Sequence, residues 1–294
     1  FAKRRVGRSE TNTSLKTIST AHTPSRLSGY LRITASCDET GKTTLSRKAY
    51  RVPIHISKPY WNGQALLLNV MSPTAGLLEG DHVELDILVE PGSTIALSNP
   101  TALRIHKMST GKATWNQTFR IAKDAFLETH PEWLIPQAQS RFEQRTRIEL
   151  EKDAQLFFIE TLAAGRVASG ESFSFSSFRN RLELRYDRNL SALEKFDISP
   201  ENKTHTGWTA AFENSFYISI YAVSPKLKNA SPLFQAIHDI QTESLFCGSS
   251  QLSHGPCWNI KILSPYAVEA KAALTKIREL FYQAIGLRII DLRR

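Results

Sequence analysis

The sequence predicts a mainly β protein, a stacked-sheet, β-helix-like body with two α-helices toward the C-terminus. Three observations predict it. From Leu31 onward, apolar and polar residues alternate with period two and break at turn residues, as half-buried strands do. A strand, tight turn, strand unit then returns around Gly92, Ala125 and Ala154, small residues 33 and 29 positions apart, a spacing that suits coils of sheet stacked along one axis. Near the end, two apolar stripes switch to helical spacing.

In chain order, the first hairpin has Leu31, Ile33 and Ala35 alternating with Arg32 and Thr34, a turn over Asp38–Lys42, and a return over Thr43–Tyr50. Gly41-Lys42-Thr43 imitates the end of a phosphate-binding loop. That loop needs glycine where Ser36 stands and a helix afterwards, whereas Thr43 to Ser46 reads as strand, so a turn is expected and no nucleotide site. Three repeated units follow, Val83–Leu97, Thr118–Leu127 and Arg147–Phe158. A plain β-sandwich would also produce regular short strands, so the solenoid is the finer of two readings. Ser231-Pro232 marks the start of one helix, with Phe234, Ile237 and Ile240 on a single face. Ser264-Pro265 opens a second, whose stripe runs through Ala270, Ala273, Leu274, Ile277, Leu280, Phe281 and Ala284 to Gly286 at its end. Such a stripe covers a core or docks a partner.

Composition excludes several classes. With 294 residues, 41% hydrophobic and 22% charged, the chain is globular rather than disordered. No run approaches the roughly 18 apolar residues of a membrane span, and no membrane association is expected. Three cysteines without a CxxC pair, and a front lacking the apolar core of a signal peptide, predict a reducing, cytoplasmic setting. The net charge of +9 would suggest nucleic acid, but +5 of it lies in residues 1–26, where six basic residues face Glu10 alone. That Ser/Thr-rich segment reads as a disordered basic tail, with a docking arm or an organelle transit peptide as the sharper alternatives, and residues 27–294 as one β-rich domain. The tail has no interleaved aromatics, so no nucleic-acid partner is expected.

Catalytic signatures fail in turn. Gly170-Glu171-Ser172-Phe173-Ser174 begins like a nucleophile elbow but closes on Ser174 instead of glycine. Cys247, His254 and Cys257 are near one another in sequence without an obvious fourth zinc ligand, and read as ordinary loop residues. An unrecognised β-helical lyase or hydrolase would need paired carboxylates in an open cleft. More informative are acids in apolar settings, because a buried carboxylate is costly unless paired, hydrogen-bonded or bound to a cation. Asp81, Glu160, Glu171 and Glu194 qualify. A salt bridge, with Arg166 as the natural partner, or surface exposure would satisfy the same pattern.

At these residues the chain resembles the UreD (UreH) urease accessory proteins. Pro73 through Gly80-Asp81 is similar to that family's glycine-rich approach to Gly-Asp. Pro91-Gly92, Asn99-Pro100-Thr101-Ala102 and His106-Lys107 follow in order, then Glu132-Trp133-Leu134-Ile135-Pro136, Ser140-Arg141-Phe142-Glu143-Gln144-Arg145-Thr146, and Gly165-Arg166 with Gly170-Glu171-Ser172-Phe173. Ala75 and Glu79 stand where the family often has glycine, Glu132 where many members have proline, and Gln137 replaces a phenylalanine.

The resemblance implies a stacked β body and a maturation factor that is not itself an enzyme. Such a factor binds the urease apoprotein, recruits an all-helical UreF-like protein and, through it, a UreG-like GTPase. It implies no tightly bound cofactor but Ni²⁺ in transit, along acidic positions that fall on Asp81, Glu160 and Glu194. Arg166 and Glu171 match a signature that would serve as a supporting ion pair. The C-terminal helices, with Ile277 and Phe281 and the nearby Trp208 and Phe212, are the expected docking surface for the helical protein.

Overall fold

The computed structural model describes residues 27–202, 215–227 and 230–292. The segment 1–26, Trp208 and Phe212 lie outside the described residues. The described residues open with the expected hairpin, β1 (Ser28–Cys37) and β2 (Thr43–Arg51). Its turn is closed by Asp38, whose carboxylate accepts the amides of Thr40 and Lys42 at 2.9 and 3.0 Å, and by Gly41 at φ 77°. Short strands β3 (His55–Ile56) and β4 (Tyr60–Asn62) then pair with β5 (Ala65–Met71).

The solenoid comes next. β6 (His82–Val89), β9 (Ala113–Ile121), β12 (Arg141–Leu150) and β14 (Ser177–Tyr186) stack in parallel in one sheet. β7 (Thr94–Asn99), β10 (Phe126–Pro131) and β13 (Gln155–Ala163) stack in a second, and β8 (Leu103–Ile105) on β11 (Leu134–Pro136) in a third. Antiparallel strands complete both large sheets. β15 (Asn189–Ile198) joins β14, while β16 (Phe216–Val223), β18 (Cys257–Ser264) and β17 (Phe246–Gln251) extend the second sheet from β13. Seven strands therefore face nine across an apolar layer that includes Leu31, Ile87, Phe119, Phe142, Phe158 and Leu182.

The turns that repeat the coil show why the period is legible. In each, the third residue is left-handed, Gly92 at φ 71°, Asp124 at 58° and Asp153 at 66°. The fourth residue is small and fully buried, Ser93, Ala125 and Ala154. The equivalence of Gly92 with Ala125 and Ala154 drawn from the sequence is therefore off by one. Glycine there answers a need for positive φ, which aspartate also tolerates, and the small residue answers a need for space. Successive turns stack, with Phe126 N–H donating to Ser93 O at 2.8 Å and Gln155 N–H to Ala125 O at 2.9 Å.

Two helices lie on the outer face of the second sheet, α1 (Ser231–His238) and α2 (Ala267–Ile285). Both start a little differently from expectation. Ala230 is the N-cap of α1, which places Pro232 in its first turn, and α2 begins after Tyr266, two residues beyond Ser264. Gly286, at φ 63°, ends α2 as expected. Ile277 and Phe281 point into the sheet, and Phe281 packs on Phe157 with ring centroids 4.7 Å apart. The expectation that these two residues dock a partner is thus corrected. They are 0% and 1% exposed, and the stripe is core.

Beneath α2 lies a buried ion pair. Glu128 on β10 is fully buried and accepts Arg278 Nε at 2.5 Å, Arg278 Nη2 at 3.0 Å and Tyr282 Oη at 2.5 Å. Arg278 Nη2 also donates to Ile290 O at 2.6 Å, which ties down the chain after the helix. With its charge and lone pairs satisfied in this way, a carboxylate can sit in an apolar layer.

Candidate functional site

Strand alternation sends every second residue of β12, β13 and β14 into the space between the large sheets. On β12 these are Phe142, Gln144, Thr146 and Ile148; on β14, Phe178, Asn180, Leu182 and Leu184; on β13, Phe158, Glu160 and Leu162. Polar side chains interrupt each apolar series at the same level, because the registers pair Gln144 with Asn180, and Thr146 with both Gln117 and Leu182. Leu182 in turn pairs with Glu194, so β15 delivers its acid to the same layer. Facing them across the gap, the register of the second sheet runs Glu160, Ser219, Lys261. The result is a polar seam inside an apolar core.

Glu160 is its centre. Oε1 accepts Gln144 Nε2 at 2.8 Å and Thr146 Oγ1 at 3.0 Å, and Oε2 accepts Asn180 Nδ2 at 3.0 Å. Burial raises its pKa from 4.5 to about 7; the three hydrogen bonds oppose this rise and the charge of Glu194 adds to it. Asn180 Oδ1 has no hydrogen-bond partner among the described residues. A relay of hydrogen bonds leads away from the carboxylate, from Thr146 to Gln117 at 2.8 Å and on to Trp115 Nε1 at 3.1 Å.

Glu194 is the second carboxylate of the seam. Tyr221 Oη donates to it at 2.6 Å, Tyr217 Oη and Ser219 Oγ stand at 3.4 Å, and Lys261 Nζ forms an ion pair with it. Burial and the adjacent carboxylates hold both phenols well above their ordinary pKa, so they stay protonated as donors.

Separate voids adjoin this seam. Glu160, Gln144 and Thr161 line a cavity of about 130 Å³ that extends past Trp115 and Gln117 toward Val70. The same three residues line a second void of about 20 Å³, shared with Asn180, Phe196 and Tyr217. Tyr217 also borders a surface groove of about 570 Å³, lined by Lys261, Phe246 and Leu263. Even the smallest void has room for a water molecule, for which roughly 10–15 Å³ suffices.

The other expected residues lie elsewhere. Asp81 is buried at the start of β6, where its carboxylate accepts the amides of Leu27 at 3.1 Å and Leu78 at 2.8 Å. It closes a loop and lines neither of the Glu160 cavities. Glu79 secures the neighbouring segment by accepting the amides of Ser109 at 2.7 Å and Gly111 at 2.8 Å. Arg166 and Glu171 form a two-pronged ion pair, and Glu171 also accepts the Ala138 amide at 3.1 Å, tying the loop after β13 to the one before β12. Cys247 and Cys257 prove to be buried strand residues on β17 and β18 rather than loop residues; burial pushes their thiols up to about 11 and about 12. Among the described residues, no three His, Cys, Asp or Glu side chains are grouped so as to hold a metal ion. Likewise, no described helix is long and apolar enough to cross a membrane.

A β-solenoid closed by antiparallel strands, backed by helices and threaded by a polar seam is the class of protein these features define. Comparison with known proteins gives the family. The profile of the UreD urease accessory proteins matches residues 28–293. A urease accessory protein UreD of Opitutus terrae is 32% identical, covering 90% of this chain and 98% of its own length. A second UreD, from Acetivibrio thermocellus, is 29% identical over 82% of this chain and 93% of its own length. A UreD 2 of Brucella ovis is 28% identical over 83% of each chain. The chain belongs to the UreD urease accessory protein family.

Proposed function

We propose that this urease accessory protein is a nickel conduit and docking hub for urease maturation in the cytoplasm. It binds the urease apoprotein, recruits a UreF-like helical protein and through it a UreG-like GTPase, and passes Ni²⁺ between its two large sheets by way of Glu160 and Glu194. GTP is hydrolysed by the partner, and this chain performs no chemistry of its own. The observation that carries the reading is the placement of two carboxylates in one layer: Glu160 lines two voids, and Tyr217, whose hydroxyl stands 3.4 Å from Glu194, borders both the smaller void and a surface groove. The donor set suits a cargo. Carboxylate, hydroxyl and amide oxygens bind Ni²⁺ more weakly than thiolate or imidazole, and few ligands per station favour release. Asp81 acts at one remove by holding the loop before β6, and the Arg166–Glu171 pair holds two loops together.

The test is co-expression with urease and the partner proteins, reading urease nickel content and pull-down of the complex. Glu194→Ala is expected to lower nickel loading about tenfold or more, since loss of a direct ligand should cost at least as much as loss of the outer-shell groups that support one, with the complex intact. Normal nickel loading by folded, partner-bound Glu194→Ala and Glu160→Gln variants would sink the conduit.

A further inference from the structure

Lys261 is a polar residue of the seam that no step of the nickel path requires. Its ammonium pairs with Glu194, and it lies over two aromatic rings, 5.5 Å from the centroid of Phe196 and 5.7 Å from that of Tyr217. Those rings stand edge to face, 5.6 Å apart, and form two walls of a cation pocket whose floor is the carboxylate. The arrangement is built from behind. Tyr221 donates to the far oxygen of Glu194, and Asn259 Nδ2 orients Ser219 by donating to its hydroxyl at 3.1 Å. The two ends of the pair differ in exposure. The Glu194 side chain is 12% exposed and cannot follow a ligand into water, whereas Lys261 is 45% exposed and borders the surface groove, so its flexible stem can withdraw.

We propose that Lys261 is a tethered placeholder cation: its ammonium occupies the cation position on Glu194 while the seam is empty, and an incoming divalent metal ion must displace it. This rests on the conduit reading above. The placeholder solves a problem the fold creates, since a half-buried carboxylate with no counter-ion is costly and would hold any divalent ion too firmly to pass it on. A competing ammonium lowers the affinity of the station for every cation and favours a doubly charged ion over a singly charged one.

Ni²⁺ binding to the full chain, followed by calorimetry, tests this. Lys261→Met keeps the stem and removes the charge, and it is expected to bind Ni²⁺ about two- to fivefold more tightly than wild type, in line with the modest worth of a partly exposed ion pair. The gain should vanish in Lys261→Met/Glu194→Gln, a neutral pair of similar shape, and Lys261→Arg, which restores a cation, should stay near wild type. In co-expression, Lys261→Met should retain more nickel on this chain and deliver less to urease. Unchanged Ni²⁺ affinity in Lys261→Met would overturn the placeholder, as would a Lys261→Arg protein that binds like Lys261→Met. Should Lys261→Met fold poorly, tighter binding that persists in the double variant, or Lys261→Arg affinity above wild type, overturns it equally. A tightened, Glu194-dependent affinity together with normal nickel delivery by both the Lys261 and the Glu194 variants would leave the placeholder standing and remove the conduit.

Discussion

Glu160 makes the stability of this protein depend on pH in a direction opposite to that of its surface acids. In the folded chain its carboxyl holds a proton up to about pH 7, against an ordinary value of 4.5, because burial disfavours the charged form. Between those two values the native state binds more protons than the unfolded one, so stability is fully present below pH 4.5 and declines as pH rises through 7. The total is about 3 kcal/mol, from 1.36 kcal/mol per pKa unit. Glu160→Gln removes the titration and keeps the shape. Gln144 and Thr146 can still donate to the amide oxygen, and Asn180, whose Oδ1 is unpartnered, can turn that atom to accept the new amide N–H. Urea unfolding of both proteins at half-unit steps from pH 4.5 to 8.5 measures the difference directly and cancels the exposed carboxylates common to both. Relative to the wild type, Glu160→Gln is expected to gain about 3 kcal/mol across that range, nearly all of it below pH 8. Parallel curves would refute the reasoning, since they would mean that the seam is wet enough for Glu160 to ionise at its ordinary pH.

Two further perturbations test the framework. Glu128→Ala strands the Arg278 charge beneath α2 and is expected to cost about 3–5 kcal/mol in denaturant unfolding, whereas Glu128→Leu with Arg278→Met should cost far less because neither charge remains buried. Equal losses in the two proteins would show that the ion pair, rather than its stranded half, carries the stability. Asp153→Gly relieves a left-handed residue in the coil turn and should raise the unfolding free energy by roughly 0.5–1 kcal/mol, where glycine in a strand would lower it. A destabilised Asp153→Gly would assign the aspartate side chain a role in the turn.

The class of fold was legible because its strands repeat a single device, inward apolar alternation between tight turns, which period-two patterning records residue by residue. The off-by-one reading at Gly92 shows where that legibility stops: glycine, serine and alanine look alike as small residues, but one position in the turn selects for φ and the next for volume. Glu160 was visible as an acid closing the run Leu156 to Ile159, yet its partners were not singled out. Gln144, Thr146 and Asn180 each break an inward apolar series, a signal present in the pattern of β12 and β14 but recognisable only once the strands are in register. Glu128 and Arg278 meet across 150 positions, and no local pattern connects them. Ile277 and Phe281 were misread for a related reason. An amphipathic stripe announces that a helix face is covered and leaves open by what, and here the cover is the chain's own second sheet.

That long-range contact also bears on how the protein is made. The coils need only their neighbours, so the solenoid can stack as it leaves the ribosome. Its back, Phe126, Glu128 and Phe157, stays bare until α2 arrives 150 residues after Glu128, roughly 8–30 s later at ordinary translation speeds. For that interval the nascent chain presents an apolar sheet face with an unpaired carboxylate in its midst. The charge is useful then, because it interrupts what would otherwise be a continuous adhesive surface, and Arg278 cancels it only when the covering helix is in place.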